Sequence, residues 1–160
     1  MFHIILYNPE IPPNTGNIIR LCANSGSQLH LIRPLGFSLT DKNLKRAKLD
    51  YNEIKNIKIY DIFDDCMKNN KFNNLYTLTK FANKSFFDEK FEPNDAFIFG
   101  NETSGLPKSF LKKISERNKL RIPMLKENRS LNLSNSVSII IFEAWRQNNF
   151  LGAKTSFMDN

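Results

Sequence analysis

Three short runs of polar and loop-forming residues interrupt the apolar stretches of this chain, at positions 8–20, 99–107 and 129–135. Each run concentrates side-chain amides, hydroxyls or charged groups, together with glycine, proline or serine. A hydrophobic core makes little use of such residues. Three separated runs that converge in space would favour an active site over a purely structural role.

The absence of several catalytic motifs from the chain limits the chemistry that these runs can perform. The sequence contains no Ser-His-Asp or Cys-His arrangement, no phosphate-binding loop and no GxGxxG motif. Gly100 and Gly105 bracket a short loop after a predicted strand, and such a loop exposes backbone N–H and C=O groups to a ligand. On spacing alone, an ordinary turn is the favoured interpretation of these two glycines.

Metal, thiol and membrane chemistry are not indicated. No residues have metal-ligand spacing, so no metal is expected, and packing is the expected role of His3 and His30. Cys22 and Cys66 lack CxxC spacing, which is typical of reduced thiols in a cytoplasmic protein. The apolar run 2–7 is too short for a signal peptide, and no segment reaches membrane-spanning length.

The charge balance favours an anionic partner. The 160 residues carry a net charge of +7, with 41% hydrophobic residues, which is enough for one folded domain. Nucleic acid is the first candidate partner and a membrane surface the second, although simply solvated lysines would give the same balance. The basic segment 42–48 contacts phosphates or forms a solvated helix face, and the second is slightly favoured for any single residue.

Alternating apolar runs and helical patterns predict an α/β fold, with a mainly parallel sheet flanked by helices. The predicted strands are 2–7, 28–33, 57–60, 75–79, 96–99 and 120–122. The predicted helices are 14–25, 40–48, 61–69, 107–117 and 134–148. We predict a single domain over residues 1–150 and a short tail over 151–160.

All three polar runs directly follow a predicted strand. In an open α/β sheet, ligands bind beyond the carboxyl ends of the strands. We therefore expect the three runs to lie along one edge of the sheet.

The first helix places polar residues opposite its apolar stripe. Asn14 is the predicted N-cap after two prolines. Spacing of 100° per residue puts an apolar stripe on one face and a polar row on the other. The stripe is Ile18, Leu21 and Cys22, and the row is Asn14, Asn17, Arg20 and Asn24. Arg20 is either a solvated surface charge or points into the loop cluster, and the two are about evenly favoured.

The last helix is apolar on two sides. Val137, Ile140, Ile141, Ala144 and Trp145 form one face, and Ile139 and Phe142 form a second. A helix of this kind is covered on both sides, either within one chain or by a second subunit. Its terminal position in a small chain favours a dimer.

On these motifs the chain resembles the SPOUT-superfamily RNA 2′-O-methyltransferases of the SpoU (TrmH-like) class. Residues 14–20 match the first family motif, 99–107 the second, and 122–124 with 130–135 the third, followed by 143–147. The resemblance covers essentially the whole chain. It is greatest to the small TrmL (YibK) type, which methylates the wobble nucleotide of tRNA.

The resemblance implies a SPOUT fold with a C-terminal trefoil knot, an exception to the general rule against threaded chains. It also implies a homodimer, S-adenosylmethionine as methyl donor and the tRNA anticodon stem-loop as substrate. The residues that it implies for the methyl donor, largely through backbone groups, are Leu78, Gly100, Ile122, Ser130 and Leu131. The residues that it implies for catalysis are Arg20, Asn14, Glu102 and Asn132.

The implied chemistry suits these residue types. A ribose 2′-hydroxyl is a poor nucleophile until its proton begins to leave, whereas a sulfonium methyl group is already activated. Alignment and help with one proton transfer therefore suffice, without a metal. By the resemblance, Arg20 helps to deprotonate the hydroxyl. Because arginine is normally protonated, orienting the hydroxyl or stabilising the developing oxyanion is the alternative.

Three positions depart from the family pattern. Phe142 stands where a tyrosine is common, Asn101 where this type often has proline, and Lys48 where glycine is common.

Two alternative functions share the fold: a catalytically silent RNA-binding protein, or methylation at another tRNA or rRNA position. A nucleotide-binding protein of unrelated chemistry is a third. Retention of Arg20 and of the cofactor loops favours the active tRNA enzyme.

Overall fold

The computed structural model describes residues 1–38, 57–126 and 128–154. Strands and helices alternate along this part of the chain. The strands are β1 (His3–Tyr7), β2 (Gln28–Ile32), β3 (Lys58–Tyr60), β4 (Leu75–Leu78), β5 (Lys84–Ser85), β6 (Ala96–Phe99) and β7 (Lys119–Arg121). The helices are α1 (Pro12–Ser25), α2 (Phe63–Asn69), α3 (Lys108–Lys113) and α4 (Leu133–Gln147), with 3-10 turns at Phe86–Asp88 and Glu116–Asn118.

The described strands form one parallel sheet in the order β3-β2-β1-β6-β4-β7-β5. This confirms the predicted α/β class with a parallel sheet. The register aligns the carboxyl ends of the central strands, since Leu6 pairs with Phe99 and Leu78 pairs with Leu120. The loops after β1, β4, β6 and β7 therefore start at one edge, as expected for the three polar runs.

Both faces of the central strands are covered. Successive side chains of a strand point to opposite faces. Ile4 and Leu6 accordingly pack in the core under α1 and α4, whereas Ile5 packs with Ile98 and Cys66 on the other face. Burial on both faces explains why β1 and β6 are continuous apolar runs.

Most predicted elements are within two residues of the observed ones. The two-residue strand β5 was missed, because so short a strand carries no period-2 pattern. The helix predicted at 107–117 ends at Lys113, since Ile114 is extended and leads toward β7. The helix predicted at 40–48 and the basic segment 42–48 lie outside the described residues. Residues 151–154 of the predicted tail are described, and the division into a domain and a tail stays a prediction.

The start of α1 differs from the prediction. The helix begins at Pro12, its N-cap is Ile11, and Ile11 makes no side-chain capping hydrogen bond. The prediction of Asn14 as N-cap was wrong, because prolines at the first two positions already have helical φ and lack an N–H group to satisfy. Asn14 instead lies in the first turn and is buried, with 6% of its surface exposed.

The remaining α1 residues follow the predicted faces. Ile18 and Cys22 are buried, and Leu21 is partly buried against the core. Asn17, Arg20 and Asn24 are exposed. Of the predicted polar row, only Asn14 is buried, because the first turn of the helix packs against the loops at the sheet edge.

Helix α4 buries one apolar face and exposes the other. Val137, Ile140, Ile141 and Ala144 are fully buried in the core beside α1, and Trp145 packs against it. Ile139 and Phe142 remain 36% and 49% exposed. Within the described residues, the chain therefore leaves this second face uncovered.

Two histidines form a buried pair between the first residue of β1 and the middle of β2. Nδ1 of His3 lies 3.0 Å from Nε2 of His30, and Nε2 of His3 donates to Asn94 over 2.9 Å. His30 is completely buried, and its Nδ1 has no partner. Burial lowers the pKa of both rings, that of His30 to about 3. Both rings are therefore neutral in the folded protein, and the predicted packing role is confirmed.

No helix within the described ranges combines the length and hydropathy that crossing a membrane requires.

Acidification should destabilise the fold through this histidine pair. A group whose folded pKa is depressed contributes stability above its unfolded pKa, near 6.5, and loses it as the pH falls toward the folded value. As the pH falls from 6.5 to 5, the loss of unfolding free energy that His30 alone causes should steepen toward about 1.4 kcal/mol per pH unit, the limit for one proton. Urea unfolding at pH 7, 6 and 5 measures this slope. His30→Leu should flatten it, and an unchanged slope in that variant would contradict the assignment.

Candidate active site

A cleft of about 560 Å³ opens at the carboxyl ends of β1, β4, β6 and β7. Its lining comes from the start of α1, from residues 78–81, from residues 99–106 and from the segment that joins β7 to α4. The three polar runs therefore do converge, as the sequence predicted. The volume lies within the range of small-molecule and cofactor sites.

Glu102 ties the second run to the first. Its carboxylate accepts the backbone N–H groups of Glu10 and Ile11, at 2.8 and 3.2 Å, and the side-chain amide of Asn14 at 3.0 Å. The two backbone donors directly precede α1, where the helix dipole favours an anion. Glu102 thereby supplies the cap that Ile11 cannot provide.

Asn14 and Asn132 tie the first run to the third. The Asn132 amide donates to Oδ1 of Asn14 over 2.9 Å. Oδ1 of Asn132 accepts the N–H groups of Ser134 and Asn135 and so caps α4. One continuous hydrogen-bonded series, Glu102–Asn14–Asn132, therefore joins all three runs, and we refer to it as the amide bridge.

The loop after β6 is closed by its own side chains. Oδ1 of Asn101 accepts the N–H groups of Ser104 and Gly105, while its amide donates to Glu10. A Cβ atom on Gly100 would come within 2.2 Å of the Gly105 carbonyl carbon, and Gly105 has φ of +69°. Both glycines are thus needed for the turn, and Gly100 also lines the cleft. Gly100 and Gly105 therefore form an ordinary turn, and this turn is also part of the cleft.

Eight of the nine predicted site residues line the cleft. They are Asn14, Glu102 and Asn132 of the predicted catalytic set, with Leu78, Gly100, Ile122, Ser130 and Leu131 of the predicted cofactor set. Arg20 is not among the lining residues. It is exposed on α1, six residues after Asn14, and this spacing corresponds to about 9 Å along the helix axis.

Two features of the cleft were missed in the sequence. Glu10 accepts the side chains of Asn101 and Thr103, and so holds the loop after β6 against α1. No local spacing pattern reports a contact across 91 residues. Lys80 and Phe81, directly after β4, also line the cleft. The expectation that ligands bind beyond the carboxyl ends of strands also applies to Lys80 and Phe81. They were missed because the loop that carries them has no unusual composition to draw attention to it.

The cleft suits positioning more than nucleophilic attack by a protein side chain. Burial raises the pKa of Cys22 to about 12 and that of Cys66 to about 11, so neither thiol is a nucleophile at neutral pH. The Glu102 carboxylate is held by three donors within the protein. Among the described residues, no group of His, Cys, Asp or Glu could hold a metal ion.

Comparison with known proteins gives consistent matches over nearly the full length. The model of the SpoU rRNA methylase family matches residues 1–142. A tRNA (cytidine(34)-2'-O)-methyltransferase of Methylovorus glucosotrophus is 49% identical, over 96% of this chain and 99% of that protein.

Solved structures agree. One that describes 2-OH methylation of C/U34 on tRNA is 38% identical, covers 94% of this chain and 97% of its own, and has a TM-score of 0.85. The SpoU methyltransferase AviRb from Streptomyces viridochromogenes, in complex with the cofactor AdoMet, has a TM-score of 0.78 at 22% identity. That match covers 92% of this chain and 57% of AviRb, and it shows a shared fold.

Removing the negative charge of Glu102 should destabilise the protein. In Glu102→Gln an amide NH₂ replaces one oxygen and faces N–H donors, so at least one donor of these partly buried or exposed contacts loses its acceptor. We expect the unfolding free energy to fall by about 1–3 kcal/mol, measured by urea unfolding. Glu92→Gln, at an exposed carboxylate in the loop before β6, is the matched control and should change it by about 0.5 kcal/mol or less. Equal effects of the two substitutions would contradict the capping role of Glu102.

Proposed function

The chain belongs to the SpoU rRNA methylase family, and from this premise we propose that it transfers a methyl group from S-adenosylmethionine to the ribose 2′-hydroxyl of the wobble nucleotide of tRNA. The observation that carries the proposal is the amide bridge, which draws all three family motifs around one cleft. Relatives named tRNA (cytidine(34)-2'-O)-methyltransferase, up to 49% identical over nearly their whole length, support the substrate.

The lining of the cleft fits S-adenosylmethionine. Leu78, Ile122 and Leu131 offer apolar contacts, and Leu131 has 40% of its surface exposed with room for a ligand. Gly100 and Ser130 bring backbone groups to the same space. When bound, the methyl donor supplies an activated methyl group on a sulfonium. We assign these five residues to its binding, as the family motifs imply.

The chain's own residues supply alignment and help with one proton. Glu102, Asn14 and Asn132 fix the first turn of α1 relative to the cleft, so that a ribose bound there meets preorganised polar groups. Arg20 lies further along the exposed side of α1. Because Arg20 does not line the cleft, its guanidinium must reach the ribose hydroxyl from the side of α1 when RNA binds. The guanidinium then orients the hydroxyl or stabilises the developing oxyanion, and a direct role as base is the second option.

Two alternative functions share this fold. A catalytically silent RNA-binding protein would bind tRNA without transferring a methyl group, and a 2′-O-methyltransferase of different target would modify another tRNA or rRNA position. Incubation with tritiated S-adenosylmethionine and tRNA, followed by mapping of ribose methylation, separates all three. Label at the wobble ribose is the expected result. Label at another position, or binding without label, would overturn the proposal.

We further propose a homodimer joined through the exposed face of α4. Ile139 and Phe142 are uncovered on this helix, and the Phe142 ring lies 5.9 Å from that of Trp145. Phe142 lacks the hydroxyl that relatives commonly carry, so this contact would be apolar. We also place the protein in the cytoplasm, with the anticodon stem-loop as the part of tRNA that it binds.

The trefoil knot is the last element of the proposal. The chain leaves β7 in one half of the sheet and returns to pack α4 beside α1, which follows β1 in the centre. Passage of the segment 122–132 through the loop formed by residues 79–106 would accomplish this return and would bring Ser130 beside Gly100. A knot of this kind explains why the loops of the cleft stay together.

Arg20→Ala should impair catalysis and leave the fold intact. Arg20 is exposed, so we expect the unfolding free energy to change by about 0.5 kcal/mol or less. Single-turnover methyl transfer should fall about a hundredfold or more, because positioned proton-transfer or oxyanion help is lost. Arg20→Lys should restore little, since an ammonium lacks the planar guanidinium fork.

Arg117→Ala is the control for this prediction. Arg117 is also exposed, but it precedes β7 and lies at the opposite edge of the sheet. That variant should methylate tRNA at the rate of the unaltered protein. If Arg20→Ala does so too, Arg20 has no catalytic role.

A charge placed on the exposed α4 face should separate the subunits. Phe142→Asp would bury a carboxylate in an apolar interface, and such burial is strongly unfavourable. Light scattering at micromolar concentration should give a dimer for the unaltered protein and a monomer for this variant. Ile62→Asp, at an apolar residue 53% exposed just before α2, should stay dimeric. A monomeric unaltered protein would refute the dimer.

A further inference from the structure

An aromatic side chain stands uncovered at the cleft. Phe81 has 67% of its surface exposed and lines the same cleft as Gly100 and Leu131. Leaving so much of a large apolar side chain in water forgoes part of the free energy that full burial would contribute. A ligand that covers the ring would recover this free energy.

The turn that carries Phe81 is firmly held. The N–H of Thr79 donates to the Leu120 carbonyl oxygen of β7 over 2.9 Å, and the Thr79 hydroxyl accepts the N–H of Phe81 over 3.3 Å. Ala82, the next residue, is buried, and its N–H donates to the Thr79 carbonyl oxygen. Hydrogen bonds therefore hold Thr79, the Phe81 backbone and Ala82 in one turn, and this turn presents the exposed ring.

Two cations accompany the ring. Nζ of Lys80 lies 5.4 Å from the centroid of the Phe81 ring, within cation–π range. Arg129, in the segment after β7, is exposed and lines the cleft as well. An exposed aromatic ring that shares a cleft with Lys and Arg side chains is suited to single-stranded nucleic acid, through base stacking and phosphate contacts.

We propose that Phe81 is a stacking platform for a nucleobase of the tRNA anticodon loop, with Lys80 and Arg129 contacting the adjoining phosphates. The inference rests on the proposed function, since it takes tRNA as the substrate. A ribose whose 2′-hydroxyl enters the cleft must place its own base, or that of a neighbour, near the rim. Every base has a π-face that can stack, so stacking on Phe81 would position the nucleotide without selecting which base it carries. Other contacts would have to discriminate among the bases.

A double-mutant cycle between protein and RNA tests the platform. Binding of an anticodon stem-loop RNA is measured by fluorescence anisotropy in the presence of S-adenosylhomocysteine, so that no turnover is required. The RNA carries an abasic site at the wobble nucleotide or at either neighbour. Phe81→Ala should weaken binding of the intact RNA about 10- to 100-fold, the loss expected for one stacked base.

The decisive result is coupling between the two changes. At one of the three positions, the abasic RNA should bind the unaltered protein as weakly as Phe81→Ala binds intact RNA, and combining both changes should add little. Phe81→Trp should retain affinity, whereas Phe81→Leu should not. Additive losses at all three positions, or no measurable binding of the RNA, would overturn the proposal.

Two controls distinguish base stacking from a general loss of exposed aromatic surface and from a role in cofactor binding. Phe87→Ala removes a phenylalanine that is 59% exposed outside the cleft, and it should leave RNA affinity unchanged. Calorimetry with S-adenosylmethionine should give the same affinity for Phe81→Ala and the unaltered protein. A tenfold weaker cofactor affinity with normal RNA binding would assign the ring to the adenine of the cofactor and overturn the proposal.

The platform and the enzyme activity can fail separately. Coupling without any methyl transfer would retain the platform and refute the proposed enzyme activity. Methylation of the wobble ribose without coupling would retain the proposed enzyme activity and refute the platform.

Discussion

The position of one carboxylate governs the geometry of the cleft. Glu102 follows β6 and meets the N-terminus of α1, which follows the neighbouring strand β1. Two prolines without N–H groups start this helix, and the N–H groups just before them, those of Glu10 and Ile11, take Glu102 as their acceptor. A carboxylate is the strongest acceptor available and also complements the helix dipole. The fold therefore places its most polar contact at the sheet edge, between two central strands.

The other polar contacts follow from this one. With Glu102 in place, Asn14 can donate to it and still accept from Asn132, whose own oxygen caps α4. Because a side-chain amide is donor and acceptor at once, asparagine can pass a hydrogen bond from one loop to the next. Removing one member would leave a partly buried group unpaired, which costs more than one average hydrogen bond contributes. The three loops consequently behave as one unit.

Local patterns in the sequence predicted the parts of the structure that depend on local physics. Apolar runs such as 96–99 identified the buried strands, and the spacing of Ile18 and Cys22 identified the core face of α1. The rule that ligands bind at strand ends predicted the edge where the cleft lies. Contacts between distant residues could not be predicted in this way. Glu10 and Glu102 pair with groups about 90 positions away, and only the folded chain brings them together.

The physical character of the cleft explains why its residues gave no conventional catalytic motif. Its carboxylates are already occupied by donors within the chain, and the two described thiols are buried and protonated. What the cleft offers a ligand is fixed backbone, amide groups and apolar surface, with cations at the rim. Such a site accelerates a reaction by holding reactants in line, and rates then depend on sub-ångström placement. Under the proposed function, the amide bridge would hold the reactants in line without itself exchanging a proton with the substrate.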